Sequence, residues 1–136
     1  MSQKMDPVVH FEMPAADRAR MAQFYTSAFG WQAQLLGPEM GDYVVVATTE
    51  TDESGAPKTP GAINGGFYPK KDDWPAQYPS VVIAVDDIHA SMKKAKELGA
   101  MILVDVTEVG EFGWMSVFTD PTGATLAMWK PKQPHK

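Results

Sequence analysis

Val8-Val9-His10-Phe11-Glu12-Met13-Pro14-Ala15-Ala16-Asp17 opens the chain as a strand running into a helix start. Up to the proline, β-branched, aromatic and polar side chains mix as they do in short strands. Asp17 stands where an N-cap belongs, since its carboxylate accepts from an N–H of the first turn that has no partner within the helix. Beyond it, Met21, Phe24, Tyr25, Ala28 and Phe29 recur at helical spacing and predict one apolar helix face, closed by Gly30.

Three strand-like runs follow: Trp31–Leu36, Tyr43–Thr48 and Gly61–Tyr68. Residues 50–60 are rich in Asp, Gly, Ser and Pro and read as an exposed loop. Gly65 and Gly66 inside the third run mark a bulge or a close backbone approach, and the run is read as a strand with a bulge. Residues 69–79, with three prolines, read as a linker. The pattern then repeats. Ser80–Val85 is a strand, Asp86 or Asp87 caps a helix with Ile88, Met92, Ala95 and Leu98 on its apolar face, and Gly99 ends it. Met101–Val106, Gly113–Thr119 and Thr125–Trp129 complete a second β-α-β-β-β series, and residues 130–136 read as a loose tail. His10–Asp17 lies over Ser80–Asp87 at an offset of 70 residues, about half the chain.

The bulk properties exclude several classes of function. At 136 residues, 44% hydrophobic and 21% charged, the chain suits one globular domain. Twelve Lys and Arg against 17 Asp and Glu leave a net charge of −5, the wrong sign for displacing counterions from nucleic acid. Lys93, Lys94 and Lys96 read as the solvated face of the second helix. The absence of cysteine removes disulfides, thiolate ligands and a cysteine nucleophile. No apolar stretch approaches the ~20 residues that span a bilayer. The expectation is a cytoplasmic protein with no nucleic-acid or membrane partner. Nucleophile-elbow, zincin and Walker signatures are all missing.

His10-Phe11-Glu12-Met13-Pro14-Ala15, Asp17, Phe24-Tyr25 and Phe29-Gly30-Trp31 resemble the opening module of the vicinal-oxygen-chelate superfamily, which includes glyoxalase I, bleomycin-resistance proteins and extradiol dioxygenases. Val85-Asp86-Asp87-Ile88 resembles its second helix entry, and Asp120-Pro121-Thr122-Gly123 its last turn. The resemblance covers Val8 to Trp129. It implies an α+β fold: two βαβββ modules (about 8–68 and 80–129) forming a curled mixed sheet with a central cup, helices on the outer face, in a single glyoxalase-like domain. It also implies a small-molecule ligand and a homodimer.

Metal-dependent members of that family set His, Glu or Gln ligands on three or four strands. Carried over by position, these sites fall on His10, on Asn64 or Gly65, on Ser80 and on Ala127. Only His10 is a strong donor, so no metal and no other cofactor is expected. The resemblance therefore points to a small-molecule-binding protein with an incomplete metal site, the alternative being a metal-dependent lyase, isomerase or dioxygenase with atypical ligands. Residues two apart on a strand share a face, which makes His10 and Glu12 the candidate proton-transfer pair. Ser80 and Ala127 are expected at the cup floor, with Asn64 a further ligand-binding candidate. Trp129, Trp114, Tyr43 and Phe67 are the aromatic candidates for its lining, suiting a ligand with an apolar body and one polar or anionic group. His89 and His135 fall outside the pattern.

Overall fold

The computed structural model describes residues 4–132. Its elements run β1 (Val8–Ala15), α1 (Arg18–Phe29), β2 (Gln32–Leu35), β3 (Val44–Ala47), β4 (Asn64–Pro69), β5 (Ser80–Ala84), α2 (Ile88–Glu97), β6 (Met101–Val109), β7 (Gly113–Thr119) and β8 (Thr125–Pro131). This is an α+β fold with the β-α-β-β-β order twice. The chain divides into two compact units, His10–Pro79 and the residues up to Val9 together with those from Ser80 onward.

Each unit builds the same mixed sheet. In the first, the strand order is β2-β3-β4-β1, with β1 and β4 parallel and the other pairs antiparallel. In the second it is β6-β7-β8-β5, with β5 and β8 parallel. The start of the chain joins this second unit through the Ala84 N–H, which donates to the Pro7 carbonyl at 2.9 Å.

Both helices start as expected. The Asp17 carboxylate accepts from the Arg20 N–H and the Asp87 carboxylate from the Ala90 N–H. Gly30 ends α1 at φ 74°, a left-handed conformation that glycine adopts without a Cβ penalty. The helix faces are narrower than the periodicity implies. Met21, Ala22 and Tyr25 face the first core with Phe11, Met13, Val44, Val46 and Phe67, but Phe24 and Phe29 are 56% and 63% exposed. Twelve residues over a four-stranded sheet cover it with one stripe, and the flanking aromatics stay outside. In α2, Ile88 and Ala95 face the second core, whereas Leu98 at the helix end is exposed.

Several boundaries differ from expectation, β4 starting at Asn64 and β6 running on to Val109. β1 continues through Pro14, its ladder to β4 running from His10↔Asn64 to Ala15↔Pro69 without a break, so β4 contains no bulge. The register shifts lie in β6 instead, around Val104. Residues 69–79 are tied to the first unit, with Tyr68 Oη donating to the Ala76 carbonyl at 2.7 Å and Lys70 N–H to that of Ala15 at 2.9 Å. β8 reaches Pro131. Lys132 is held by Glu108, by the Gly110 carbonyl and over the Trp114 ring, so the tail is anchored that far; residues 133–136, with His135, lie outside the described residues.

The turn before each unit's last strand is the same structure. In Asp52-Glu53-Ser54-Gly55-Ala56, the Asp52 carboxylate accepts from Ser54 N–H, Ser54 Oγ and Ala56 N–H. In Asp120-Pro121-Thr122-Gly123-Ala124, Asp120 accepts from Thr122 N–H, Thr122 Oγ1 and Ala124 N–H. Gly55 and Gly123 take matching left-handed φ values of 88° and 98°. The exposed loop of residues 50–60 is thus the first unit's copy of the family-like turn.

Candidate functional site

Strand parity sorts the first unit's side chains. Phe11 and Met13 of β1 pack against the α1-side core, so His10 and Glu12 point to the other face. The parallel ladder places Asn64 and Gly66 beside them on β4, and β3 adds Val45 opposite Gly66. By the same alternation Tyr68 joins this helix-free face, as does Tyr43 just before β3.

On this face Tyr43 bridges the two candidate proton-transfer residues. Its hydroxyl donates to Glu12 Oε2 at 2.9 Å and lies 2.9 Å from His10 Nε2. A phenol has one proton, and it is given to Glu12. The His10 Nε2 must therefore carry the hydrogen of the other bond, which leaves the Nδ1 lone pair free. Among the described residues Nδ1 has no hydrogen-bond partner, and no buried side-chain nitrogen or oxygen is left unpartnered, so Nδ1 is open to solvent. The amide of Asn64, the register partner of His10, is oriented by its carbonyl oxygen, which accepts from the Thr48 N–H at 2.9 Å. The same reasoning leaves the Asn64 Nδ2–H group open as a donor.

Two glycines make this packing possible, on opposite faces. A Cβ at Gly66 would meet the Tyr43 ring, and one at Gly65 would meet the Phe11 ring. Tyr43 thus lies in the space of the missing Gly66 side chain and reaches over β4 to Glu12.

Burial sets the charge states. It pushes His10 down to about 4, so the imidazole is neutral near pH 7. It raises Glu12, an effect partly offset by the hydrogen bond from Tyr43. Tyr43 is raised by burial first and then by the charge and hydrogen bond of Glu12, so it stays a phenol. Tyr68 is pushed up to about 12 by burial and then by Glu12. A direct His10–Glu12 pair stabilising an imidazolium is not what the sequence folds into. The phenol sits between them and the histidine is neutral.

The other candidates are placed as follows. Phe67 is 1% exposed in the α1-side core, because it alternates with Gly66 and faces Val44. Trp114 packs against the α2-side core, in phase with Ser116 and Phe118 along β7. Neither is on a helix-free face. Ser80, Ala127 and Trp129 do lie on the helix-free face of the second unit. Ala127 pairs with Val82, and the Trp129 ring passes within 2.9 Å of where a Gly113 Cβ would be. His89 is exposed on α2. Tyr68 and Gly66 were missed as site residues, and the Asn64, Gly66, Tyr68 alternation was the signal that could have found them.

The sequence model of the Glyoxalase/Bleomycin resistance protein/Dioxygenase superfamily matches residues 8–128. The chain belongs to this superfamily. Its relatives include CFP32 of Mycobacterium bovis, provisionally named a glyoxylase, at 31% identity over 122 residues. The anthracycline biosynthesis protein DnrV of Streptomyces peucetius is 31% identical over 130 residues. Each match covers 88% of this chain but only 43% and 45% of the relative, so the chain spans less than half the length of either. Among solved structures, a methylmalonyl-CoA epimerase of Streptomyces coelicolor in complex with 2-nitronate-propionyl-CoA superposes with a TM-score of 0.69 at 13% identity, covering 98% of this chain and 99% of the other. The hypothetical protein BH1468 of Bacillus halodurans gives 0.69 at 12% identity with the same coverage. These likenesses show the superfamily fold.

The metal that many glyoxalase-superfamily members use does not fit the residues present. Ala127 has no donor atom, Ser80 offers a neutral hydroxyl, and the Asn64 carbonyl oxygen is engaged by Thr48. His10 Nε2 is committed to Tyr43, which leaves His10 Nδ1 as the one strong donor at these four positions. Among the described residues no three His, Cys, Asp or Glu side chains group together, and no helix is long and apolar enough to cross a membrane.

Proposed function

We propose that this chain is a metal-independent small-molecule-binding protein of the glyoxalase/bleomycin-resistance type, and that its ligand contacts His10 and Asn64 on the helix-free face of the first unit. The observation carrying this reading is the pairing of an open acceptor, His10 Nδ1, with an open donor, Asn64 Nδ2, on register-partnered residues of β1 and β4. Both side chains are held by hydrogen bonds at their other ends, so neither loses much freedom when a ligand binds. A ligand with an apolar body and a polar end offering one donor and one acceptor matches this pair. The epimerase complex, in which a member of the fold holds a coenzyme A ester, supports a small-molecule ligand in general terms.

The reading includes a cytoplasmic homodimer with no nucleic-acid or membrane partner. The negative charge weighs against a nucleic-acid partner, and the exposed side chains of Phe24 and Phe29 offer an apolar patch to a second copy. A metal-dependent lyase, isomerase or dioxygenase is the alternative, and the donor-poor positions at Ser80 and Ala127 weigh against it.

The test is a small-molecule screen read by NMR on protein labelled at histidine and asparagine. Bound compounds are expected to shift the His10 ring and the Asn64 side-chain amide, and to lose affinity in His10→Ala and Asn64→Ala. Ligands that bind while perturbing neither residue would overturn the assignment. One equivalent of Mn, Fe, Ni or Zn retained after dialysis, and lost in His10→Ala, would favour the alternative.

A further inference from the structure

We propose that His10, Tyr43 and Glu12 form a proton relay: a proton arriving at His10 Nδ1 is matched by one passing from Nε2 to the Tyr43 oxygen and one passing from Tyr43 to Glu12 Oε2. This deepens the reading of the helix-free face as a ligand site, and its test uses no ligand, so the two stand or fall separately.

The geometry carries the inference. Two consecutive 2.9 Å contacts join three groups that each both give and take a hydrogen. Before transfer, His10 Nε2–H donates to Tyr43 Oη, whose own hydrogen goes to the Glu12 carboxylate. After transfer, Glu12 is a carboxylic acid donating to Tyr43 Oη, Tyr43 donates to Nε2, and His10 is the neutral Nδ1–H tautomer. Both hydrogen bonds survive with reversed polarity, and no heavy atom has to change partner. One proton enters, and the net charge of the three groups goes from −1 to 0.

The surroundings favour this outcome. Burial penalises an imidazolium at His10 and a carboxylate at Glu12 alike. The relay avoids the first and removes the second, because the proton taken at the histidine ends on the acid. Within the unit, Asn64 on β4 is neutral. Tyr68, also on β4, is the other titratable group whose field reaches Glu12, and it is pushed up to about 12. α1 packs on the opposite face. The histidine end of the relay is open at Nδ1. His10 can therefore accept a proton from a hydroxyl-bearing ligand at Nδ1, with the oxyanion so formed beside the Asn64 Nδ2–H donor.

The experiment is a pH series on the ligand-free chain with isotope-labelled histidine and glutamate, following imidazole nitrogen and carboxyl carbon signals. The expected result is a His10 change from the Nε2–H to the Nδ1–H tautomer in step with protonation of Glu12, before any imidazolium signal. In Tyr43→Phe the carboxyl should titrate with that tautomer change lost. Should Tyr43→Phe fail to fold, Glu12→Gln serves: with no acid to receive the proton, His10 should pass directly to imidazolium. The proposal is overturned if wild-type His10 keeps its Nε2–H tautomer while Glu12 protonates, or if either folded variant titrates like the wild type.

Discussion

A Cβ on Gly66 would lie 2.1 Å from the Tyr43 hydroxyl and 2.2 Å from two of its ring carbons. No real side chain tolerates such contacts, so Gly66→Ala must displace Tyr43. Overpacking of this kind costs about 1–3 kcal/mol. The expected outcome is that loss of stability in urea unfolding together with a changed His10 ring environment by NMR. Gly65→Ala, which meets Phe11 at 2.5 Å on the other face, should cost a similar amount and move the His10 signals less, through the Phe11 ring 6.4 Å from the imidazole, without breaking the contact to Tyr43. Equal His10 shifts in both variants would show that the two faces are not separated as described.

This glycine pair also shows what the sequence could and could not disclose. Two adjacent glycines in a strand signalled either a bulge or a close approach, and the ladder from His10↔Asn64 to Ala15↔Pro69 decides for close approach on both faces. The strand and helix order was legible because the 70-residue repeat, the Asp17 and Asp87 caps and the glycine after each helix are local signals. That His10 and Glu12 share one face of β1 was legible by alternation. The Tyr43 bridge was not, because it depends on a cross-strand neighbour without a side chain, and nothing near Tyr43 in sequence announces Gly66. Phe67 and Trp114 went astray by one residue of phase, which moves a side chain to the opposite face of a sheet.

The aromatic chain on α1 separates core from surface in a measurable way. Tyr25 stacks on Trp31 at 4.8 Å and approaches Phe67 at 5.7 Å, while Phe24 and Phe29 are the exposed outer members. Phe67→Ala should cost about 3–5 kcal/mol. At concentrations where the chain is monomeric, so that no contact between copies covers these rings, Phe24→Ser and Phe29→Ser should each stay within about 0.5 kcal/mol. Urea unfolding of the three variants checks this, and a large loss for Phe24→Ser would place that ring in a core the structure does not give it.

The paired turns predict paired titrations. Asp52 is held below the usual carboxylate range by its hydrogen bonds to the Ser54 side chain and then the Ala56 backbone. Asp120 is held down likewise by the Thr122 side chain and the Ala124 backbone. Carboxyl carbon NMR should find both titrating below an ordinary aspartate, and Ser54→Ala and Thr122→Ala should each raise only their own turn's aspartate. If the Asp52 value is ordinary, the 50–60 segment does not form the second copy of this turn in solution.

The pH dependence of stability follows from two opposed groups. His10 falls from 6.5 to about 4 on folding, so between those values the unfolded chain binds the extra proton. Its contribution is present above pH 6.5 and is lost as pH falls toward 4, by at most about 3 kcal/mol. Glu12 is raised from 4.5 by burial, so the folded chain holds its proton more tightly. Its contribution is present at low pH and is lost as pH rises through the folded value. Across the acid range the two therefore partly cancel in the wild type. Glu12→Gln should remove the compensating part and steepen the loss of stability from pH 6.5 to 4. His10→Gln should flatten it, because the depressed histidine no longer has to be charged on unfolding. Urea midpoints at half-unit pH steps for the three proteins provide the comparison. Three parallel curves would mean that neither side chain is buried as the Tyr43 bridge requires. A steeper curve for His10→Gln than for Glu12→Gln would reverse the assignment of the two effects.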